Sequence, residues 1–462
     1  MTDYRIEKDS MGEVRVPTHA LWGAQTQRAV ENFPISGRVL PPRMVHAFGL
    51  VKGAAARVNK ARGALDGAIA DAIIAAAAEV AGGKLDGQFP LDVFQTGSGT
   101  SSNMNANEVI ANRAIQIMGG VVGSKSPVHP NDHVNRSQSS NDVVPTVIHI
   151  AALEAIDRDL LPALTELAAA LEDKARAFDS VVKIGRTHLQ DAVPVRLGQE
   201  FSGYAQQVRN ALRRMEAVRP ALGEVALGGT AVGTGLNAEP GFAEAVVAHL
   251  AGQTGLPLRQ APNLFEALAA QDALVEASGA LRTVAVSLSK IAEDVRWLGS
   301  GPRCGLGELI IPDLQPGSSI MPGKVNPVMS EMLVMVCAQV LGNDVTVALA
   351  GQQGHFELNT MLPVMAANLL DSIAILSSGS KTFSRRCVEG LRADEARCGE
   401  MVERSLAMVT ALAPVLGYDK AAALAKEAHE TGATIRELVR RKALLPEGEI
   451  ERLLDARAMT GE

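Results

Sequence analysis

The sequence predicts an all-α protein: a core of long bundled helices, preceded by a mixed, mostly helical N-terminal domain and followed by a small helical C-terminal domain. Three observations carry that reading. Apolar residues recur at helical spacing, most regularly at Leu274, Ala277, Leu281, Val284, Leu288, Ile291 and Val295, where steps of three and four alternate without a slip. Hydrophobic residues make up 47% of the 462, yet aromatic residues only 3%, so the core is one of Ala, Val, Leu and Met that lets helices approach closely. Dense polar segments interrupt the periodicity, and most lead directly into a helical pattern.

In chain order, the start MTDYRIEKDSMGEVRVP has no apolar stretch of signal-peptide type. The run AIADAIIAAAAEVAGG is interrupted by Asp71 and Glu79 and ends in glycines, which reads as a buried helix and not a membrane span. Beyond Asn141, Leu153, Ile156, Leu160, Leu164, Leu167, Leu171, Ala175 and Phe178 form one seam, and Leu197, Phe201, Tyr204, Val208, Leu212 and Met215 another. From Val328 to Leu349 the chain is apolar on nearly every side, as expected mid-bundle or at a subunit interface. After about Arg392 the heptads give way to shorter, charged helices. The expected domains are 1–138, 139–392 and 393–462.

A net charge of −7 and the lack of a long Lys/Arg run argue against a nucleic-acid partner. The four cysteines form no CxxC pair, which argues against zinc or iron–sulfur ligation and fits a reducing cytoplasm.

The polar segments are TGSGTSSNMNANE (Thr96–Glu108), HPNDHVNRSQSSND (His129–Asp142), GRTHLQD (Gly185–Asp191) and GSSIMPGKVNP (Gly317–Pro327). Thr100 or Ser101 is the expected cap of one helix, Asn141 or Asp142 of the next with Pro145 in its first turn, and Asn326 of the last, with Pro327 at its first position. Helix N-termini present unpaired N–H groups and partial positive charge, so their convergence would suit a small, doubly charged acid. Each segment alone is an ordinary cap or turn. Four together, one with Lys324 between two prolines, point to a site.

Other motifs fail. GSSIMPGKV lacks the glycine spacing and the hydroxyl residue of a P-loop, GGTAVGTG (Gly228–Gly235) is not a dinucleotide fingerprint, and no GxSxG elbow is present. His129 and His133 lie four apart, but Pro130 and its cap-like neighbours favour a loop over a metal site, and no metal is expected.

The loop GSSIMPGKVNP resembles the signature of the fumarase/aspartase superfamily of lyases, and the other polar segments and the DSMGEVRVP start resemble its blocks over nearly the whole chain. Within it, His188 in GRTH, the form FQTGSGT and the segment GHFELN (Gly354–Asn359) are similar to the class II fumarate hydratase branch. The resemblance implies an all-helical homotetramer, with each active site assembled from three subunits, a fumarate or L-malate substrate, trans hydration and no cofactor.

By the same resemblance Ser318 is the base that takes the carbon-bound proton, helped by Lys324. His188, with Glu331 as its partner, handles the proton at the water or hydroxyl. Ser319, Lys324, Val325 and Asn326 bind the substrate carboxylates, while Ser98, Gly99, Thr100, Ser139, Ser140, Asn141 and Thr187 supply neutral hydrogen bonds. His129, Pro130, Asn131 and Asp132 match a second anion site, from which this chain departs through Ser126, where Arg is common, and His133, where Asp is common. The competing readings are an aspartate ammonia-lyase, which shares the carbanion chemistry, and a non-catalytic structural member of the superfamily. The joint presence of Ser318, Lys324, Asn326 and His188 argues against the latter.

Overall fold

The computed structural model describes residues 3–461. Its long elements are helices, and its strands are short and form two-stranded sheets, in keeping with the expected helical class. The seam from Leu274 to Val295 lies on one helix, Asp272–Leu298, and all seven of its residues are buried.

The chain divides into two compact units. The first joins residues up to Pro162 with Arg213–Ala285 and Ala338–Ser377, and the second joins Ala163–Leu212, Val286–Cys337 and the chain from Ser378 onward.

The first unit opens with an antiparallel hairpin, strands β1 (Tyr4–Asp9) and β2 (Gly12–Pro17), which helical periodicity gave no reason to expect. Helix α1 (Ala24–Asn32) follows, and its first N–H groups have no cap from their own segment. The buried Glu108 accepts from Gly23 N, Gln25 N and Thr26 N at 2.9–3.1 Å instead. A carboxylate at a helix N-terminus is favoured by the dipole, although burial raises this one's pKa.

Helix α2 (Pro42–Ala61) packs on α3 (Gly67–Ala81), the alanine-rich run read from sequence as a buried helix. The pair is close: a Cβ at Gly49 would stand 2.4 Å from Ala81 N. Helix α4 (Thr100–Ile117) is buried along most of its length, which excludes water from the polar side chains that its first turns carry. Helix α5 (Ser140–Ala155) runs through a single π turn, Ile156–Leu160, into α6 (Leu161–Ala177), so the predicted seam from Leu153 to Phe178 stays in register.

The second unit contains a second hairpin, β3 (Val182–Thr187) with β4 (Gln190–Arg196), ahead of helix α7 (Leu197–Ala217). Its base is held by a buried ion cluster. Lys183 Nζ lies 2.8 Å from Glu200 Oε1, and Arg186 makes a two-pronged pair with the fully buried Glu308 at 2.8 and 3.0 Å. Phe178, Phe201 and Tyr204 stack edge to face beside it. The C-terminal helices close around Val402, Leu412, Leu424, Leu438 and Ile450, with Ile184 of β3 in the same cluster.

Candidate active site

Two of the polar segments meet within the first unit. Gly99, in the left-handed conformation at φ 72°, takes the turn before α4 and caps it without a side chain. Thr100 is therefore the first helical residue and not the cap expected from sequence, and its hydroxyl is left for other partners. Its Oγ1 lies 2.8 Å from Ser98 Oγ and 2.8 Å from Ser140 Oγ. Gly97 is pinned against the chain after GHFELN: a Cβ there would stand 1.8 Å from Thr360 O, and Leu362 N donates to Gly97 O at 2.9 Å.

The start of α5 is likewise shifted from the expectation. Ser139, not Asn141 or Asp142, is the cap, in a reciprocal box where Asp142 Oδ1 accepts from Ser139 N at 2.9 Å. Pro145 falls in the second turn as a result. Ser140 and Asn141 are thereby freed from capping, and Asn141 Nδ2 donates to Ala231 O at 2.8 Å. The second Asp142 oxygen accepts from Gly228 N and Thr230 N, both at 3.0 Å. The carboxyl is fully buried, and burial pushes its pKa up against these bonds. Gly228–Gly235, set aside in the sequence as a failed cofactor motif, thus stands beside Asn141. Its density of Gly and Thr was the available signal.

His129 opens one turn of π-helix, Pro130–Val134, where a loop was expected. Its Nδ1 accepts from Asn131 N and Asp132 N, while His133 Nδ1 accepts from His129 N at 2.9 Å. His129 Nδ1 also lies 3.2 Å from the Asp132 carboxylate. Among the described residues no group of three or more His, Cys, Asp or Glu side chains is placed to hold a metal ion.

In the second unit, Thr187 ends β3 and His188 sits at the tip of the β3–β4 hairpin with Leu189. Thr187 pairs with Gln190, leaving a two-residue turn in which His188 and Leu189 have φ of 56° and 59°. Such a turn favours Asn-Gly, so His-Leu is strained there. Both side chains are exposed.

The loop Gly317–Pro327 closes on itself. Asn326 Nδ2 donates to Gly317 O at 2.8 Å, and a Cβ at Gly317 would meet Lys324 O at 2.1 Å. Ser318 Oγ accepts from Met321 N at 3.0 Å and Ile320 N at 3.3 Å. Ser319, Lys324 and Val325 are exposed at the rim. Asn326 was expected to cap the next helix. Its side chain closes the loop instead, and the helix begins one residue later than predicted, at Val328, with Pro327 O accepting from Glu331 N. Glu331 lies in the first turn as expected, and among the described residues it has no hydrogen bond to His188.

The hydroxyl cluster between two helix starts and the lysine-bearing loop folded around a serine both lie in the part of the chain that matches a lyase family. Residues 12–342 match the lyase family model, and residues 408–461 match the model described as the fumarase C C-terminus. The chain belongs to the class II fumarate hydratase family. It is 55% identical to the mitochondrial fumarate hydratase of Saccharomyces cerevisiae, covering 100% of this chain and 94% of that one. It is 57% identical to the class II fumarate hydratase of Rhizobium meliloti, over 95% of this chain and 94% of that one. Among solved structures, the class II fumarase of Schistosoma mansoni superposes with a TM-score of 0.96 at 40% identity, covering 99% of each chain.

Proposed function

We propose that the protein is a fumarate hydratase, adding water reversibly and in trans across fumarate to give L-malate, the hydration step of the tricarboxylic acid cycle. The observation that carries this reading is the pair of N–H groups aimed at Ser318 Oγ from Met321 and Ile320. In the malate direction a proton must leave a carbon beside a carboxylate, and the aci-carboxylate that forms carries extra negative charge. Catalysis then depends on donors fixed in advance. A serine hydroxyl removes such a proton only as an alkoxide, which two backbone N–H groups and the Lys324 ammonium on the same loop would stabilise.

In this reading Ser319, Lys324, Val325 and Asn326 hold the substrate carboxylates, and Ser98, Gly99, Thr100, Ser139, Ser140, Asn141 and Thr187 line the rest of the dicarboxylate. His188 and Glu331 are assigned to the water or hydroxyl. His129, Pro130, Asn131 and Asp132 are assigned to a second anion site, from which Ser126 and His133 depart.

We further propose a homotetramer in the cytoplasm, with three subunits contributing to each site. The helix Val328–Gly351 supports this, because Met335, Val345 and Leu349 are 66%, 59% and 56% exposed on an apolar face. Its length and composition also suit a membrane span, but it carries Asn343 and Asp344, and Asp344 pairs with Arg282 at 2.9 Å. An ion pair is expensive in hydrocarbon, so a second copy of the chain is the better cover. All four cysteines are free, as in a reducing compartment.

The test is to give purified protein L-malate or L-aspartate and follow fumarate absorbance in the ultraviolet. Turnover of malate is expected; turnover of aspartate alone overturns the reading in favour of an ammonia-lyase. Ser318→Ala should abolish turnover, and a fully active variant removes Ser318 as the base. Sedimentation should give four copies, and a monomer would refute the shared site.

A further inference from the structure

Lys52 lies in the middle of α2, completely buried between Val51 and the alanines of the next turn. Its ammonium donates to Asn135 Oδ1 at 2.9 Å and Gln138 Oε1 at 3.1 Å. The same Asn135 oxygen receives Asn103 Nδ2 and Asn107 Nδ2 of α4, each at 3.2 Å. Asn135 Nδ2 in turn donates to the Gln138 carbonyl at 3.1 Å. About two turns along the same face of α2, Asn59 Nδ2 donates to Arg136 O at 3.2 Å. One helix thus grips the segment 135–138, which immediately precedes Ser139, and is joined through Asn135 to the helix that begins at Thr100.

A charged amine without water is costly unless hydrogen-bonded, and burial pushes this one down to about 7 against the attraction of the buried Asp142. An apolar residue would fill the position without that cost. The bonds that Lys52 makes all lead to the two segments whose hydroxyls meet at Thr100 and Ser140.

We infer that Lys52 is a positioning residue for substrate binding, setting the register between Thr100 and the Ser139–Asn141 segment through Asn135 and Gln138 without touching the substrate. This deepens the proposed function and rests on its assignment of Thr100 and Ser139–Asn141 as dicarboxylate ligands. The charge, and not only the volume, matters because one ammonium bonds two side-chain oxygens on one short segment.

The experiment compares Lys52→Met, Lys52→Arg, Gln138→Met and the Lys52→Met/Gln138→Met pair in the full chain, by steady-state fumarate hydration with melting as a control. Lys52→Met and Gln138→Met should each raise KM about ten-fold and change kcat less than about three-fold, since the reacting atoms lie elsewhere. The loss in the pair should be smaller than the product of the two single losses, because both variants break the Lys52–Gln138 bond. Lys52 also bonds Asn135, and Gln138 also bonds the Val134 and Arg136 carbonyls. Lys52→Arg should recover part of the loss. A wild-type KM in folded Lys52→Met overturns the proposal, as does one in Gln138→Met if Lys52→Met fails to fold, or losses that multiply in the pair. Asn141→Ala separates the two levels of inference. An unchanged KM there refutes the ligand assignment itself, whereas a raised KM there with an unchanged one in the Lys52 and Gln138 variants refutes only the positioning role.

Discussion

Thr100 Oγ1 and Ser140 Oγ stand 2.8 Å apart, joining two segments that are forty positions apart in the chain. The contact exists because neither hydroxyl caps a helix: Gly99 turns the chain before Thr100, and Ser139 takes the cap before Ser140. Ser98, Thr100 and Ser140 form a chain of three hydroxyls linked by two bonds. Two of the three protons are used within the chain, and the third is directed at Asn141, whose Oδ1 accepts from Ser140 Oγ at 3.4 Å. A substrate carboxylate would compete with that long bond for the proton.

Gly99→Ala should disturb that arrangement most directly. The added methyl would stand 2.7 Å from Val144 Cγ1, on a backbone at φ 72° that L residues avoid. Left-handed strain and overpacking each cost about 1–2 kcal/mol, and the helix start must shift to relieve them. Urea unfolding should show a loss of about 2–4 kcal/mol, with KM for fumarate raised about ten-fold. An unchanged KM would separate the turn from substrate binding.

At Gly317 the expectation is the opposite balance. A Cβ would lie 2.1 Å from the Lys324 carbonyl, so the loop around Ser318 could not close. The loop is mostly exposed and contributes little to the core. Gly317→Ala should therefore lower kcat by about a hundred-fold or more, the scale of losing a preorganised donor set, while the melting temperature stays within about 2 °C of wild type. Differential scanning fluorimetry beside the ultraviolet assay reads both.

The β3–β4 hairpin presents strain above and ion pairing below. Leu189→Gly removes the left-handed penalty at one turn position, and should stabilise the protein by about 1 kcal/mol. Glu308→Gln acts the other way, leaving Arg186 and the buried Lys183 without their shared carboxylate. A loss of about 3–5 kcal/mol is expected in chemical denaturation. A loss below about 1 kcal/mol would mean that the cluster does not hold the hairpin that presents His188.

The long seams were legible because burial follows helical period with little interference: Leu274 through Val295 repeat every three or four residues, and all are buried. The polar loops were legible as breaks in that period. Cap positions were not, since Ser139, Asn141 and Asp142 are all good caps and the choice was made by Asp142 reaching back to Ser139 N. The hairpin carrying His188 was hidden for another reason. Val182–Arg196 contains Gly185 and Pro194 and lies between strong helical patterns, so alternation is short and interrupted. Lys52 was hidden because nothing in its own segment sets it apart from Arg57 and Lys60 on the same helix, and its amide partners lie more than eighty residues away in sequence.

His149 gives the stability a pH dependence whose sign follows from its surroundings. Its Nδ1 lies 3.0 Å from the Leu222 carbonyl and donates to it, and burial lowers the imidazole from 6.5 to about 4. The unfolded chain therefore binds a proton on this group below about pH 6.5, whereas the folded chain resists it until about pH 4. The contribution is fully present above pH 6.5 and is lost as pH falls through that window, by about 3 kcal/mol in all. Urea unfolding at matched protein concentration, at pH 7.5 and at pH values down to about 4.5, should show this decline. His149→Gln cannot take up the proton, so its stability should fall less over the same range, whatever its absolute value. Equal slopes in the two proteins would mean that other groups, and not His149, govern the acid side of the curve.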